Sequence, residues 1–507
     1  MFVFTENDMA ALLDAVITNM LPQRSAAQKP IPANFIFLSA RYAHYYQNAE
    51  MLQNLFDNVT SRIANVIESH PDDMTIHAFW ISNTLLLLHY LKKDPGLMTV
   101  SIDFQVKISE LLQEAYLTLI CDAQRRISRV LDSAILDNET IQGLDELTFD
   151  DEWKIFRSRN KSHKSPKRFS RTPSPRRRAE PSPRNVTSLL SSIQFILETY
   201  DIHAVIIAQC QAQLFSWIGA ELFNRILSKK KYQSRSKAMQ IRLNVSALED
   251  WLRVNVKPST DSTHGDSSAY VRRTASQIGR EFLGPLIQLL QWLQVLSSVG
   301  EEEDTFRRTV SALDLLTPAQ LLSAANHYRA EVGEHPLPKK FKEILRNMDF
   351  EKEEARRKAR VRMSSLPPAN RPSTPSTPTS PKKESATSPT SAIQPFPPSP
   401  TTVTMTEDDD ILPPTTLMLP SSTLLPFALP TTTEMITAYG AGIGGTQREK
   451  YTPTLPAEFL EKLDTITANG TNKVPLGGVK KRFVDEEVDE DREIAERVAV
   501  QGGGWGE

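Results

Sequence analysis

Apolar residues recur every three to four positions along two long stretches of the chain. Between Val106 and Leu136 they fall at Val106, Ile108, Leu111, Leu112, Tyr116, Leu117, Leu119, Ile120, Ile127, Val130, Leu131, Ile135 and Leu136. That is the 3.6-residue stripe of a helix with one buried face. A second stripe runs through Ile202, Val205, Ile206, Cys210, Leu214, Phe215, Ile218, Leu222, Phe223 and Ile226. Shorter stretches of the same period predict helices over Phe35–Tyr46, Met51–Glu68, Thr75–Leu91, Ala238–Val254, Ser276–Ser298 and Thr317–Tyr328. Local signals agree: Pro71-Asp72-Asp73 precedes one helix, Asp94-Pro95-Gly96 ends it, and Thr317-Pro318 puts proline at the first position of another. No alternating strand pattern of useful length competes. The apolar faces are wide, so each helix needs several neighbours, and the fold class expected is an all-α, elongated multi-helix bundle. Residues 1–156 and 185–360 are expected to be two halves of one helical body.

Composition shows that not all 507 residues belong to that body. With 34 prolines, 19 glycines and 40% apolar residues, the chain falls short of a fully globular composition. Net charge is −2, from 59 Lys and Arg against 61 Asp and Glu, so the chain as a whole is no polycation. The charge is uneven, however. Residues 157–184 carry eleven Lys or Arg and the single acid Glu180, with Ser-Pro or Thr-Pro steps at Ser165, Thr172, Ser174 and Ser182. Such a segment buries too little apolar surface to offset its ordering entropy and is expected to be a disordered basic loop. Residues 361–482 are expected to form a second disordered tract, rich in Pro, Ser and Thr, with further proline-directed sites at Thr374, Thr377 and Ser380. An acidic tail occupies 483–507.

Catalytic chemistry finds no seat in this pattern, and neither metal nor cofactor is expected. Cys121 and Cys210 lack a neighbouring base in sequence and read as reduced core thiols. His77 and His89 are twelve residues apart, too far for joint ligation on one helix, and His89 lies in a leucine run that suits a core histidine. Gly440, Gly442 and Gly445 spell a dinucleotide pattern in letters only, since no strand is expected before them and no helix after. There is no GxxxxGK[ST] loop, no basic n-region followed by an apolar run, and no stretch of about 18 apolar residues. The expected location is cytoplasmic, or peripheral on vesicles or endomembranes.

Several segments resemble, in order, the DIL (dilute) domain of class V myosin cargo-binding tails. AFWISNTLLLLHYLKK (78–93) looks like the opening signature, with Phe79, Trp80, Asn83 and Leu88. LDSAILDNETIQGL (131–144) resembles the end of the central helix, and IIAQCQAQLFSWIGAELFNRIL (206–227) the long middle helix. MQIRLNVSALEDWLR (239–253), with Trp251, is similar to a specific segment of that tail, and PLIQLLQWLQVL (285–296) and LLTPAQLLSAANHYRAE (315–331) to its closing helices. The resemblance covers about residues 50–345. It implies an elongated all-helical body in which these tryptophans mostly hold helices together. No sustained heptads and no calmodulin-binding helices are visible, so the chain is most similar to non-motor fungal DIL proteins. Those often carry ankyrin repeats ahead of the domain, and no 33-residue period occurs in this sequence.

The resemblance also implies a non-enzymatic adaptor that holds protein partners, a small GTPase or a vesicle or cargo receptor, on exposed helix faces. Lys229, Lys230, Lys231 and Arg235 form a charged edge that could meet an acidic partner. An alternative gives the working role to the arginine-serine-like insert, in a nuclear or RNA-associated protein. The insert has only Phe169 for base stacking, so nucleic acid is not the expected partner. Phosphorylation of its four sites would add about −1.5 to −2 charges each, nearly cancelling its basic excess.

Overall fold

Side-chain caps set many of the helix starts. In the computed structural model, which describes residues 3–139, 181–256, 273–299, 302–365, 417–440 and 451–468, the secondary structure is helical, with no β-strand among the described residues. The chain opens with α1 (Glu6–Leu13), which widens into a π-turn over Asp14–Thr18. Helix α2 (Ile31–Tyr46) starts just after Pro30. Helix α3 (Ala49–Ser69) begins where Asn48 Oδ1 accepts the Met51 N–H, and α4 (Met74–Lys93) where Asp73 accepts from Thr75 and Ile76. Each cap satisfies amides that the first helical turn leaves without partners. Helix α5 (Ile102–Leu131) continues as a π-turn, Asp132–Leu136.

Beyond residue 180 come α6 (Pro183–Thr199), α7 (Ala204–Ser228) and α8 (Arg235–Asn255). The long apolar stretch around residue 285 is three pieces: a turn at Ala275–Ile278, a π-turn at Gly279–Leu283, and α9 (Gly284–Val295). Then follow α10 (Glu303–Ala312), α11 (Pro318–His327) and α12 (Lys339–Ser365). Two helices lie further along the chain, α13 (Thr432–Tyr439) and α14 (Ala457–Ala468).

Packing crosses the basic insert. Helix α4 lies along α5, with α2 and α3 against them, while α5 also touches α6 and α7. Helix α8 packs on α6 and α9, and α11 on α9 and α12. One hydrophobic cluster therefore includes Leu12, Phe79, Leu112, Leu190, Phe215, Trp292 and Phe341.

Two expectations need correction. Ser182, placed in the disordered loop, is the N-cap of α6 in a reciprocal capping box with Asn185. More consequentially, the Pro/Ser/Thr-rich tract 361–482 contributes residues 417–440 and 451–468 to the packed body. Met435, Tyr439 and Leu463 are buried; Leu417, Leu419, Leu425, Phe427 and Leu429 lie partly buried against the same cluster. Composition misleads here because the stretch needs no core of its own: it borrows one.

Candidate protein-binding surface

One face of α7 carries carboxamides where the opposite face carries core residues. Gln209, Gln213 and Asn224 lie four and eleven residues apart, close to whole turns of the helix, so all three point the same way. Against them runs the non-helical segment 417–430, antiparallel to α7, with a turn at 421–422. Gln209 Nε2 donates to the Ala428 carbonyl and its Oε1 accepts the Ala428 N–H, both at 2.8 Å. Gln213 donates to Thr423 O at 3.2 Å and accepts from Leu425 N at 2.7 Å. Asn224 repeats the pairing at Leu419, 2.8 Å each way. Gln320 of α11 donates to Leu417 O at 2.9 Å while its Oε1 accepts the Thr317 N–H. A carboxamide presents one donor and one acceptor side by side, as a peptide unit does, so these helices read a backbone as a neighbouring strand would. Gln209, Gln213 and Gln320 are all buried under the segment.

Apolar contacts fill the spaces between the rungs. The Phe427 ring lies 4.4 Å from that of Tyr116 on α5, and burial pushes the Tyr116 phenol well above its ordinary pKa, keeping it neutral. Further along, α13 packs on α4, where Tyr439 sits 5.4 Å from the His89 ring and 5.0 Å from Tyr451. Asn34 Nδ2 donates to Thr454 O at 2.8 Å, and α14 reaches α1. This segment was missed in the sequence because glutamines on a helix read as a solvated face. The available signal was their spacing of four and eleven.

The DIL-signature residues lie inside. Phe79, Trp80 and Leu88 are almost fully buried, and Phe79 meets Trp80 edge-on at 5.7 Å. Asn83 is a fastener: its Nδ2 donates to Lys29 O and Phe79 O, and its Oδ1 accepts the Ala33 N–H at the start of α2. Trp251 stacks on Phe215 at 5.8 Å and donates through Nε1 to Ser191 Oγ at 2.8 Å. The structure brings these residues to helix contacts rather than to a surface.

The basic edge meets acids of its own chain. Lys229 pairs with Asp132 at 3.0 Å, Lys231 with Asp137 at 2.9 Å, and Arg235 approaches Glu334 at 3.8 Å. Lys230 lies in the same short turn, and Lys231 sits over the Tyr232 ring. Of the expected modification sites, Ser165, Thr172, Ser174, Thr374, Thr377 and Ser380 lie outside the described residues. Cys210 is buried, but Cys121 is exposed, against the expectation of a core thiol. It follows Ile120 on a helix that turns about 100° per residue, which carries it off the buried face. Gly440 ends α13; Gly442 and Gly445 lie outside the described residues.

Comparison with known proteins places these features. Residues 209–332 match the DIL domain family model, a span that holds Gln209, Gln213, Asn224 and Gln320. A dilute domain-containing protein of Schizosaccharomyces pombe is 34% identical over 363 residues, covering 70% of this chain and 60% of that protein. One of Saccharomyces cerevisiae is 21% identical over 466 residues, covering 68% of this chain and 52% of that protein. Unconventional myosin-Vb of Mus musculus is 26% identical over 347 residues, 63% of this chain and 17% of the myosin. The chain thus spans about half of the fungal relatives' length and a small part of the myosin's. Among solved structures, a myosin V cargo binding domain aligns with a TM-score of 0.50 at 16% identity, over 69% of this chain and 82% of that one. The two share a fold.

Proposed function

The chain carries a DIL domain, and from that premise we propose that it is a non-enzymatic adaptor. Its body, residues 1–156 with 185–360, holds protein partners such as a small GTPase or a vesicle or cargo receptor in transport or cell polarity. The observation that supports this most is the carboxamide ladder on α7. Side chains of the DIL domain engage a backbone segment of their own chain through paired hydrogen bonds, a mode of contact that suits the backbone of a partner equally well. No group of three or more His, Cys, Asp or Glu able to hold a metal occurs among the described residues, and no described helix is long and apolar enough to cross a membrane.

The test is direct. The purified full chain and a form lacking 157–180, which keeps the Ser182 cap of α6, are each immobilised and exposed to small GTPases locked with GDP or a non-hydrolysable GTP analogue, to cytoplasmic segments of cargo receptors, and to RNA. Retention of the same GTPase or receptor by both forms is the expected result. RNA retained only by the form with the insert, and no protein retained by either, replaces the adaptor with the nuclear or RNA-associated reading.

A further inference from the structure

We propose that the α7 groove is a binding site for a non-helical, uncharged, leucine- and proline-bearing segment of a partner protein, and that residues 417–430 occupy it in cis as a displaceable strap. The inference rests on the adaptor reading and names the class of ligand that reading leaves open.

Three observations carry it. First, recognition is through backbone. Gln209, Gln213 and Asn224 each grip both polar groups of the strap, so another segment of suitable shape makes the same bonds. Second, the strap defines the ligand. Its sequence LMLPSSTLLPFALP has no charged residue. The amides that donate belong to Leu419, Leu425 and Ala428, whereas its prolines, which have no N–H, stand at 420, 426 and 430. Leucine or phenylalanine side chains at 417, 419, 425, 427 and 429 face the apolar cluster, with Phe427 on Tyr116. Third, the groove suits exchange. Each rung is a hydrogen bond of small net worth, whose two partners both return to water on opening, so the cost of opening is concentrated in the five apolar side chains and the Phe427–Tyr116 contact.

Because the strap is part of the same chain, a partner segment competes against an effective concentration on the order of millimolar. Binding by the intact protein is therefore weak until the strap is loosened. Leu425→Pro with Ala428→Pro removes two strap donors and leaves every body residue unchanged.

The probe is a fluorescein-labelled peptide of residues 415–431, followed by anisotropy without any GTPase or receptor. The strap-loosened full chain is expected to bind it at least tenfold more tightly than the unmodified chain. Adding Gln209→Leu and Gln213→Leu should abolish the gain, and a peptide with Phe427→Asp should not bind. Hydrogen exchange on the unmodified chain supplies a measurement free of folding artefacts. The amides of Leu419, Leu425 and Ala428 should exchange at least tenfold faster than those in the middle of α7. Equal affinity for both chains, or strap amides that exchange only with global unfolding, overturns the proposal. So does a concentration-dependent dimer dissolved by the peptide, which would assign the groove to a second copy. Peptide failure beside GTPase or receptor retention removes this inference alone; peptide binding with no such retention removes the named partners alone.

Discussion

The guanidinium of Arg225 donates to Asp132 Oδ1 at 2.7 Å, tying α7 to the π-turn that ends α5. Lys229 takes the other carboxylate oxygen at 3.0 Å, and Ser128 and Glu221 complete the Arg225 contacts. Burial opposes the charge on Asp132, but hydrogen bonds from Arg225 and Lys229 outweigh it and hold its pKa below the usual carboxylate value. A carboxylate depressed on folding stabilises above the unfolded pKa of about 3.9 and loses that contribution as pH falls through the lower folded value. The pair is partly exposed, so Arg225→Ala should cost only about 1–2 kcal/mol in urea unfolding at pH 7. The difference from the parent chain should shrink as pH falls below the unfolded value of about 3.9 and on through the lower folded one, where Asp132 protonates.

Gly219 permits a backbone crossing. A Cβ there would overlap the Phe282 carbonyl of the π-turn packed on α7, and backbone cannot swing aside as a side-chain tip can. Gly219→Ala should lower stability by about 1–3 kcal/mol. Gly279→Ala, in the same π-turn with open space around its would-be Cβ, should be neutral or stabilise by up to about 1 kcal/mol. Thermal melts of the two variants should move in different directions or by clearly different amounts.

His89 links stability to pH. Burial, and then the nearby Lys93 charge, push its pKa down to about 4. The unfolded chain takes up the proton first, near pH 6.5, so stability falls as pH drops from about 6.5 to 4 and the contribution then levels off. The loss amounts to about 3 kcal/mol. His77, also lowered by burial, adds in the same direction. Urea midpoints at pH 7 and 4.5 should show the slope, and His89→Phe, which keeps a ring against Tyr439, should flatten it.

The two cysteines should separate by reactivity. Cys121 is exposed, while Cys210 is buried and its thiol pKa is raised by that burial. An aromatic disulfide reagent should titrate one thiol per native chain and two in denaturant. Two fast thiols under native conditions would place Cys210 elsewhere.

The groove and the core were legible to different degrees. Phe79 and Trp80 lie in a helix whose residues 76–81 and 83–91 are all buried, so their burial followed from an apolar run together with the DIL resemblance. The start of α3 was less visible, because a cap such as Asn48 resembles any polar loop residue until its partner amide is in place, and α6 was missed whole, because its Ser182 cap falls within the stretch expected to be the basic loop. The helices α1, α10 and α12 escaped for a related reason: they are short or heavily charged, and packing against neighbours stabilises them more than their own pattern does.

What the sequence determined by itself is the class of fold and the buried face of each long helix. A 3.6-residue recurrence of apolar groups has one low-energy outcome in water: one stripe turned inward. What only tertiary structure decided is the use of the other face. Gln209 and Ala428 are 219 positions apart, and nothing local distinguishes a glutamine that faces water from one that grips a distant backbone. The strap likewise has no helical period or core of its own. Its order comes from hydrogen bonds and apolar contacts supplied by α5, α7 and α11, which exist only once those helices have assembled.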